Sequence, residues 1–501
     1  MNKNQLPSFK ENKSSINERK NKEFKVSKLK LYTKIITFLL SFIFLFIDLN
    51  KNYKIYILKK LITEKNIRPN NNKICDNLDP IKLFNLRLEN GPITICQYEK
   101  SKHICYQNDN GYYNNIFFEK NGVICKMENI VLDPSKLEYT NIIYKGPVDT
   151  INQGRPLLSK GFLNMKCKNK NDLKNVNKIY QSYFQSWNYN YDKSEELEEL
   201  APGKTIFFIS RDQNSPNLFH GGSELINTIS IMNLFNLNPE NIQIIFLESM
   251  ILKNDPYYDL YSNIISRGGK PLYIKNLKKK YHISSALHIP INLDSPAFIT
   301  NNFSNCKYPT QTYKLLNSLV NKYMNIPEFK DRFITDNNIF YYPKQVIANY
   351  KSNIIFKKMV TIQWRKIWPK GRKNQQRILT NGEELADKLA SILPKNILIR
   401  LVDTANLSIS EQISLMRKTD YLVGVHGAGL CLSVFMSQRS ILQEAFPWRT
   451  ISVVTLMSAL SGHITYSDLI RSKENIKTNI SFKPEIFAKS VLNHMLQNNF
   501  F

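Results

Sequence analysis

The segment with the clearest capacity for chemistry is residues 420–447, where an apolar strand runs into a turn of small residues. The turn reads His426-Gly427-Ala428-Gly429, and a helical pattern over residues 429–436 follows it. Glycine lets the backbone bend sharply and approach a ligand closely. The start of a helix offers unpaired N–H groups and the positive end of its dipole, so the pattern predicts a phosphate-binding site.

A histidine and a glutamate are predicted to face the same edge of a sheet. His426 ends one predicted strand, and Glu444 ends the next, which covers residues 441–444. Ligands bind at the carboxyl ends of parallel strands, where the Glu444 carboxylate can accept hydrogen bonds from ribose hydroxyls. The alternative is a tight turn with no ligand, but the turn, histidine and glutamate together favour binding.

Two arginines are expected to flank a bound diphosphate. Arg365 follows a predicted strand at residues 359–363, and Arg377 precedes a predicted helix that begins at Asn381. The planar guanidinium group binds phosphate oxygens through two parallel hydrogen bonds. The basic residues between the two arginines are interpreted as a solvated loop.

Two runs of alternating strands and helices must position these groups. The first run has strands at 205–210, 242–247, 271–274 and 288–291 and a helix at 224–235. The second has strands at 359–363, 397–402, 421–425 and 441–444, with helices between them. Capping boxes are predicted at Asn381 and Ser408, and a last helix at 484–497. Right-handed crossovers then give two α/β lobes with parallel sheets, and a ligand cleft between them.

Four of these pieces together resemble glycosyltransferase family 61. They are Arg365, the stretch Arg377-Ile378-Leu379, the turn at 425–430, and the strand end at 444–447. The family includes protein O-mannose β-1,4-N-acetylglucosaminyltransferase, the EGF-domain O-GlcNAc transferase and β-1,2-xylosyltransferases. The resemblance is specific over residues 355–450 and fainter over 203–300. It implies a GT-B-like α/β fold of two Rossmann-like lobes, inversion at the anomeric carbon, and a UDP-sugar donor held by the second lobe.

The resemblance also implies roles for individual residues. The donor-binding residues are Arg365, Arg377, His426, Gly427, Ala428, Gly429 and Glu444. His220 and Glu224 are the candidate catalytic bases, since inverting transfer needs a group that takes the acceptor's proton and the two lie one helical turn apart. The donor sugar stays open between GlcNAc and a pentose such as xylose. The chain lacks the Asp-x-Asp motif expected of a metal-dependent GT-A transferase. The scheme requires no cofactor, and dependence on a divalent metal is left open.

Two other functions compete with this interpretation. A lumenal α/β hydrolase would use the glycine turns as oxyanion loops, but the chain lacks a G-x-S-x-G nucleophile elbow. A non-catalytic glycan-binding membrane protein with a degenerate transferase fold stays open.

The net charge of +28 could indicate a nucleic-acid partner, but +11 of this charge lies in residues 1–70 and no nucleic-acid-binding signature is present. The expected partners are therefore a nucleotide-sugar donor and a glycan or glycoprotein acceptor.

The N-terminus predicts a membrane anchor. Residues 35–47 carry no charge, and residues 15–34 hold seven Lys/Arg against five in residues 48–67. This bias predicts a single-pass type II protein of the Golgi or endoplasmic reticulum membrane with its catalytic part in the lumen. The expected domains are a cytoplasmic tail (1–34), a transmembrane signal-anchor (35–50), a stem (51–110), an acceptor-side lobe (111–345), a nucleotide-sugar lobe (346–470) and a C-terminal helix (471–501).

The cysteines fit a lumenal protein. There are seven and none forms a CxxC pair, so six are expected to form disulfides in an oxidising compartment. Fifteen connectivities are open for six cysteines. Cys431 lies in an apolar helical pattern and is the predicted free thiol. Sequons at Asn302, Asn406 and Asn479 are compatible with this compartment.

Overall fold

The computed structural model describes the following residues: 75, 79–82, 93–106, 124–139, 156–167, 186–191, 196–209, 218–247, 257–289, 306, 308–331, 339–366, 377–446, 454–469 and 479–501. All belong to one compact unit, residues 71–501. The predicted tail (1–34) and anchor (35–50) lie outside the described residues. Within the described ranges, no helix combines the length and the apolar character needed to cross a bilayer.

The first half of the unit is built on a nine-stranded mixed sheet. The strands in this half are β1 (Ile93–Tyr98), β2 (Ser101–Tyr106), β3 (Ile124–Leu132), β4 (Leu137–Tyr139), β5 (Pro156–Leu158), β6 (Leu163–Asn164), β7 (Trp187–Asn188), β8 (Thr205–Ile209), β9 (Ile242–Phe246), β10 (Leu272–Tyr273) and β11 (Tyr281–Ile289). The main order is β1-β2-β3-β11-β8-β9-β10, β6 and β7 extend the sheet from β3, and β4 and β5 form a separate pair. Strands β11, β8, β9 and β10 are parallel, and β1, β2 and β3 continue the sheet antiparallel.

Helix α1 (Leu218–Leu234) connects β8 to β9 and lies at the centre of the molecule. Residues 221–232 of this helix are all buried. They include five polar residues, Ser223, Glu224, Asn227, Thr228 and Ser230. A helix that is buried on every side has no solvent-facing stripe, which explains why its sequence shows little amphipathic periodicity. α1 packs against the helix formed by residues 428–435, so it joins the two sheets of the unit.

The segment predicted to be a stem, 51–110, is in its described parts folded onto the first sheet. It supplies β1 and β2, and Cys75 forms a disulfide with Cys306. The Asp79 carboxylate accepts hydrogen bonds from the backbone N–H and the hydroxyl of Thr312, near the start of a later helix. In its described parts this segment is therefore held against the compact unit by apolar side chains and a disulfide.

The second half of the unit is built on a six-stranded sheet. Its strands and those beside it are β12 (Phe340–Tyr341), β13 (Lys358–Gln363), β14 (Ile378–Leu379), β15 (Ile397–Val402), β16 (Tyr421–Val425), β17 (Ile441–Phe446), β18 (Ile464–Leu469) and β19 (Asn479–Ile480). The order is β12-β15-β13-β16-β17-β18, while β14 pairs with β19. All strands are parallel except β12. The helices that follow α1 are α2 (Tyr258–Leu260), α3 (Gln311–Tyr323), α4 (Lys344–Lys351), α5 (Gly382–Ile392), α6 (Ile409–Arg417), α7 (Val454–Leu460) and α8 (Pro484–Gln497).

Of three local predictions in this half, one is confirmed and two differ from the structure. The capping box at Ser408 is present, with reciprocal bonds to Glu411. The one at Asn381 is wrong, because its side chain bonds the backbone N–H and carbonyl of Phe482 instead. The predicted helix at 429–436 is a 3-10 helix, Ala428–Phe435, which we call the 428–435 helix.

A fully buried arginine ties the second sheet to its flanking segments. Arg400 on β15 donates to the Asp331 carboxylate at 2.8 Å and to the Thr361 hydroxyl at 3.0 Å. It also donates to the carbonyls of Leu415 and Lys418 at the end of α6. A buried charge is tolerated only when it is paired and hydrogen-bonded, and this one is satisfied by three separate elements.

Three disulfides are present and Cys431 is the buried free thiol, which confirms the predicted pairing of six cysteines. The bonds are Cys75–Cys306, Cys96–Cys167 and Cys105–Cys125. Disulfides persist in oxidising compartments, so three of them suggest a protein of the secretory pathway.

Candidate functional site

The predicted site lies where the direction of the second sheet reverses. β13 and β16 are neighbours, yet the chain leaves β13 toward β15 on one side and leaves β16 toward β17 on the other. At such a switch point, the loops after the two strands diverge and leave a crevice at their carboxyl ends. Arg365 follows β13 and His426 follows β16, so the topology brings these two predicted residues together.

Two side chains lie in close contact with the glycines of the small-residue turn. A Cβ atom at Gly427 would lie 2.2 Å from Nη1 of Arg365. Gly427 has a φ of 170° and its carbonyl accepts a hydrogen bond from Leu430. Neither this glycine nor Gly429 lies in the left-handed region, so glycine is required here for space. His426, Ala428 and Gly429 are half-buried, so the turn reaches the surface and the Arg365 guanidinium lies directly on it.

Gln363 is a site residue that the sequence analysis missed. A Cβ atom at Gly429 would lie 2.0 Å from its Nε2. The same Nε2 donates to the Thr404 hydroxyl at 3.1 Å, which connects the end of β13 with the segment after β15. A polar residue at the end of an otherwise apolar strand was the available signal, since parallel strands present such residues to the ligand edge.

His426 and Glu444 are in direct contact. His426 Nδ1 lies 2.5 Å from Oε1 of Glu444, and the Glu444 side chain is fully buried. The two belong to neighbouring strand ends, since Val425 pairs with Ala445 across β16 and β17. The ribose contact expected of Glu444 stays a prediction, but its immediate partner is the histidine.

Arg377 lies close enough to Glu444 to feel the charge of its carboxylate. Burial lowers the pKa of the Arg377 guanidinium, and the charge of Glu444 raises it in part. The backbone of Arg377 has a φ of 65°, an unusual conformation for a non-glycine residue. Its Nε atom is buried and has no hydrogen-bond partner in the described part of the chain. Beyond Lys366, the basic loop before Arg377 lies outside the described residues.

The two candidate bases belong to α1. Glu224 is fully buried within that helix, and its backbone carbonyl accepts a hydrogen bond from Thr228. His220 lies in the first turn of α1, and its side chain is outside the described residues. Since α1 packs on the 428–435 helix, both lie on an element next to the turn, and their catalytic role stays a prediction. The burial of Glu224 contrasts with the accessible position that a base meeting an incoming hydroxyl needs.

Comparison with known families identifies this part of the molecule. The family model described as Glycosyltransferase 61 matches residues 246–442, from the end of β9 to the start of β17. The chain contains a glycosyltransferase family 61 domain. The matched region includes Arg365, Arg377 and the turn at 426–429, whereas Glu444 and α1 lie just outside it. This glycosyltransferase is a transferase of class EC 2.4, and as such it binds a sugar donor and an acceptor.

Other comparisons add little to the family assignment. The comparison with curated proteins gave no match. Among solved structures, the ADP-heptose LPS heptosyltransferase II of E. coli is similar, with 8% identity, 59% of this chain and 99% of that chain covered, and a TM-score of 0.24. At this TM-score the similarity is weak and supports no conclusion about the site.

Proposed function

We propose that this glycosyltransferase is an inverting GT-B enzyme that transfers a sugar from a UDP-sugar to a glycan or glycoprotein acceptor in the secretory pathway. The observation that carries the proposal is the Arg365 guanidinium on the Gly427 backbone at the switch point of a parallel sheet. A backbone turn with N–H groups and a guanidinium beside it suits a diphosphate.

The donor diphosphate would rest on the turn at 427–429, neutralised by Arg365 and Arg377, with His426 in contact with a phosphate or the sugar. The leaving diphosphate gains negative charge as the glycosidic bond breaks. Groups already fixed around that charge stabilise the transition state without further reorganisation, which is usually the largest catalytic effect. The segments that carry Arg365 and Arg377 are held to each other, because the backbone N–H of Leu379 donates to the carbonyl of Arg365.

The acceptor would enter from the side of α1, where a base removes the proton from its hydroxyl. The burial of Glu224 favours His220 over Glu224 for that role. The donor sugar is GlcNAc or a pentose such as xylose, and the scheme needs no divalent metal. The enzyme would be anchored in the Golgi or endoplasmic reticulum membrane by residues 35–50.

The experiment is a donor-hydrolysis screen of the full chain against UDP-GlcNAc, UDP-xylose, UDP-arabinose and UDP-galactose, with and without EDTA. We expect one donor to be hydrolysed, and Arg377→Ala to lower its turnover by at least about 100-fold, as loss of a fixed charge-stabilising donor does. Arg267→Ala is the matched control, because Arg267 pairs with Glu240 on the surface of the first half. Near-normal turnover of Arg377→Ala would remove Arg377 from the site, and no hydrolysis of any donor would contradict the proposed reaction.

A further inference from the structure

The carboxylate of Glu444 is fully buried, yet its neighbours belong to the anion-binding turn. Its Oε1 contacts Nδ1 of His426 at 2.5 Å. Its charge also acts on Arg377 and on the Cys431 thiol of the 428–435 helix, whose pKa is raised by burial and further by Glu444. The carboxylate therefore lies among the groups that surround the turn.

A buried carboxylate at this place is unfavourable for folding by itself. Moving a carboxylate out of water costs free energy that only close partners recover. An apolar side chain on β17 would fill the space at lower cost, as Ala445 and Leu442 do on the same strand, both buried. His426, which contacts Glu444, and Arg377, on which its charge acts, are each only partly buried. The contact with His426 thus joins a buried carboxylate to a group that reaches the surface.

Arg377 carries two further unfavourable features. Its backbone is in the left-handed region, and its buried Nε donates to no partner in the part of the chain that the structure describes. Strained backbone and an unsatisfied buried donor at one residue are typical of functional sites, where a ligand or a fixed orientation offsets the cost. The charge of Glu444 favours the charged form of this guanidinium and so opposes the effect of burial on its pKa.

We propose that Glu444 is a positioning residue, whose carboxylate holds the Nδ1 proton and the ring of His426 in place for a bound diphosphate. The inference rests on the proposed function. A hydrogen bond to one ring nitrogen fixes both the tautomer and the orientation of an imidazole. With Nδ1 held by Glu444, the ring meets a phosphate or sugar oxygen through its Nε2 edge. In this role the carboxylate acts through His426.

The test compares Glu444→Gln and Glu444→Asp in the full chain. Gln keeps the size of the side chain and removes its charge, while Asp keeps the charge on a shorter stem. The control is Asp468→Asn, because Asp468 lies on the adjacent strand β18 and bonds Gln443 and Ser490 away from the turn. The measurements are kcat and KM for the hydrolysed donor, UDP affinity by calorimetry, and the thermal unfolding midpoint.

We expect Glu444→Gln to lower kcat by about 10- to 100-fold, the loss seen when the carboxylate behind a metal-bound imidazole is removed. KM should change by less than about threefold, because the charge on the leaving group grows only in the transition state. Glu444→Asp keeps the charge but draws it away from Nδ1 of His426, so it should lower kcat by a smaller factor, and Asp468→Asn should leave kcat and KM unchanged.

A residue that merely stabilises the fold would give another pattern. Glu444→Gln would then unfold at lower temperature while its folded fraction kept the wild-type kcat, and this outcome overturns the inference. If Glu444→Gln does not fold, Glu444→Asp decides: wild-type kcat and UDP affinity overturn the inference, and a lowered kcat at normal stability supports it. Wild-type protein that neither binds UDP nor hydrolyses a donor would refute the proposed function itself, which is a separate and recognisable result.

Discussion

We predict opposite effects on stability and activity when each of the two glycines of the turn is replaced by alanine. Gly427→Ala and Gly429→Ala each add one methyl group, and neither residue has a left-handed φ that would resist alanine. The difference lies in the neighbour that must move. At Gly427 it is Nη1 of Arg365, 2.2 Å from the new Cβ, and at Gly429 it is Nε2 of Gln363, 2.0 Å away.

The magnitudes follow from where each neighbour can go. Arg365 is only partly buried, so its guanidinium can move toward water and the free energy of unfolding should fall by less than about 0.5 kcal/mol, as for surface changes. It must retreat by roughly 1 Å, and a displacement of that size at a reacting centre can cost about 100-fold in rate. Gln363 is buried, so it must break its bond to Thr404 or strain the strand, at about 1–3 kcal/mol.

The assays are urea unfolding for stability, and UDP titration and donor hydrolysis for the site. Gly427→Ala should keep the unfolding midpoint and lose about 100-fold in kcat/KM. Gly429→Ala should lower the free energy of unfolding by about 1–3 kcal/mol, whatever its activity. The reasoning is refuted if Gly427→Ala binds UDP and turns over donor like the wild type, or if the two variants unfold with equal midpoints.

Two further predictions concern stability. Asp331→Asn should lower the free energy of unfolding by about 3 kcal/mol in urea titrations, because it leaves the fully buried Arg400 without its carboxylate. The control is Glu328→Gln, in an exposed pair with Lys418, which should change the free energy of unfolding by less than about 1 kcal/mol. Equal effects of the two variants would contradict a stabilising role for the pair of Arg400 and Asp331. Burial lowers the pKa of His463 from 6.5 to about 4, so below pH 6.5 the unfolded chain binds a proton that the folded chain does not. The free energy of unfolding should therefore fall by up to about 1.4 kcal/mol per pH unit from pH 6.5 to 4 through this residue. His463→Leu should make that slope shallower in unfolding titrations across the window, and an unchanged slope would show that His463 titrates normally.

The sequence was sufficient for the four central strands of the second half because these elements follow local rules. The strands at β13, β15, β16 and β17 are short apolar runs between helical patterns, and parallel strands buried on both faces have this signature. Helix α8 has the predicted bounds, since Pro484 is favourable in the first turn of a helix. The residues of the turn could be placed at one edge for the same reason, because parallel strands all end there.

The parts that the sequence did not predict depend on contacts between distant residues. The side chain of Asn381 has a suitable cap geometry in sequence terms, but Phe482, 101 residues away, competes for it. The contact between His426 and Glu444 depends on the rotamers of two side chains on neighbouring strands, and a strand-end position alone does not distinguish a ribose ligand from a histidine partner. The burial of α1 on all sides is likewise set by the second sheet, which lies far along the chain.

The bond between Cys75 and Cys306 has a consequence for how the protein is made. Its partners are separated by 231 residues, so at a synthesis rate of about 5–20 residues per second, Cys75 waits roughly 10–50 s for Cys306 to appear. Cys96, Cys105, Cys125 and Cys167 all emerge during that interval and can react with it. Correct pairing therefore requires that the early strands bring those four cysteines together first, or that an isomerase later exchanges the wrong bonds.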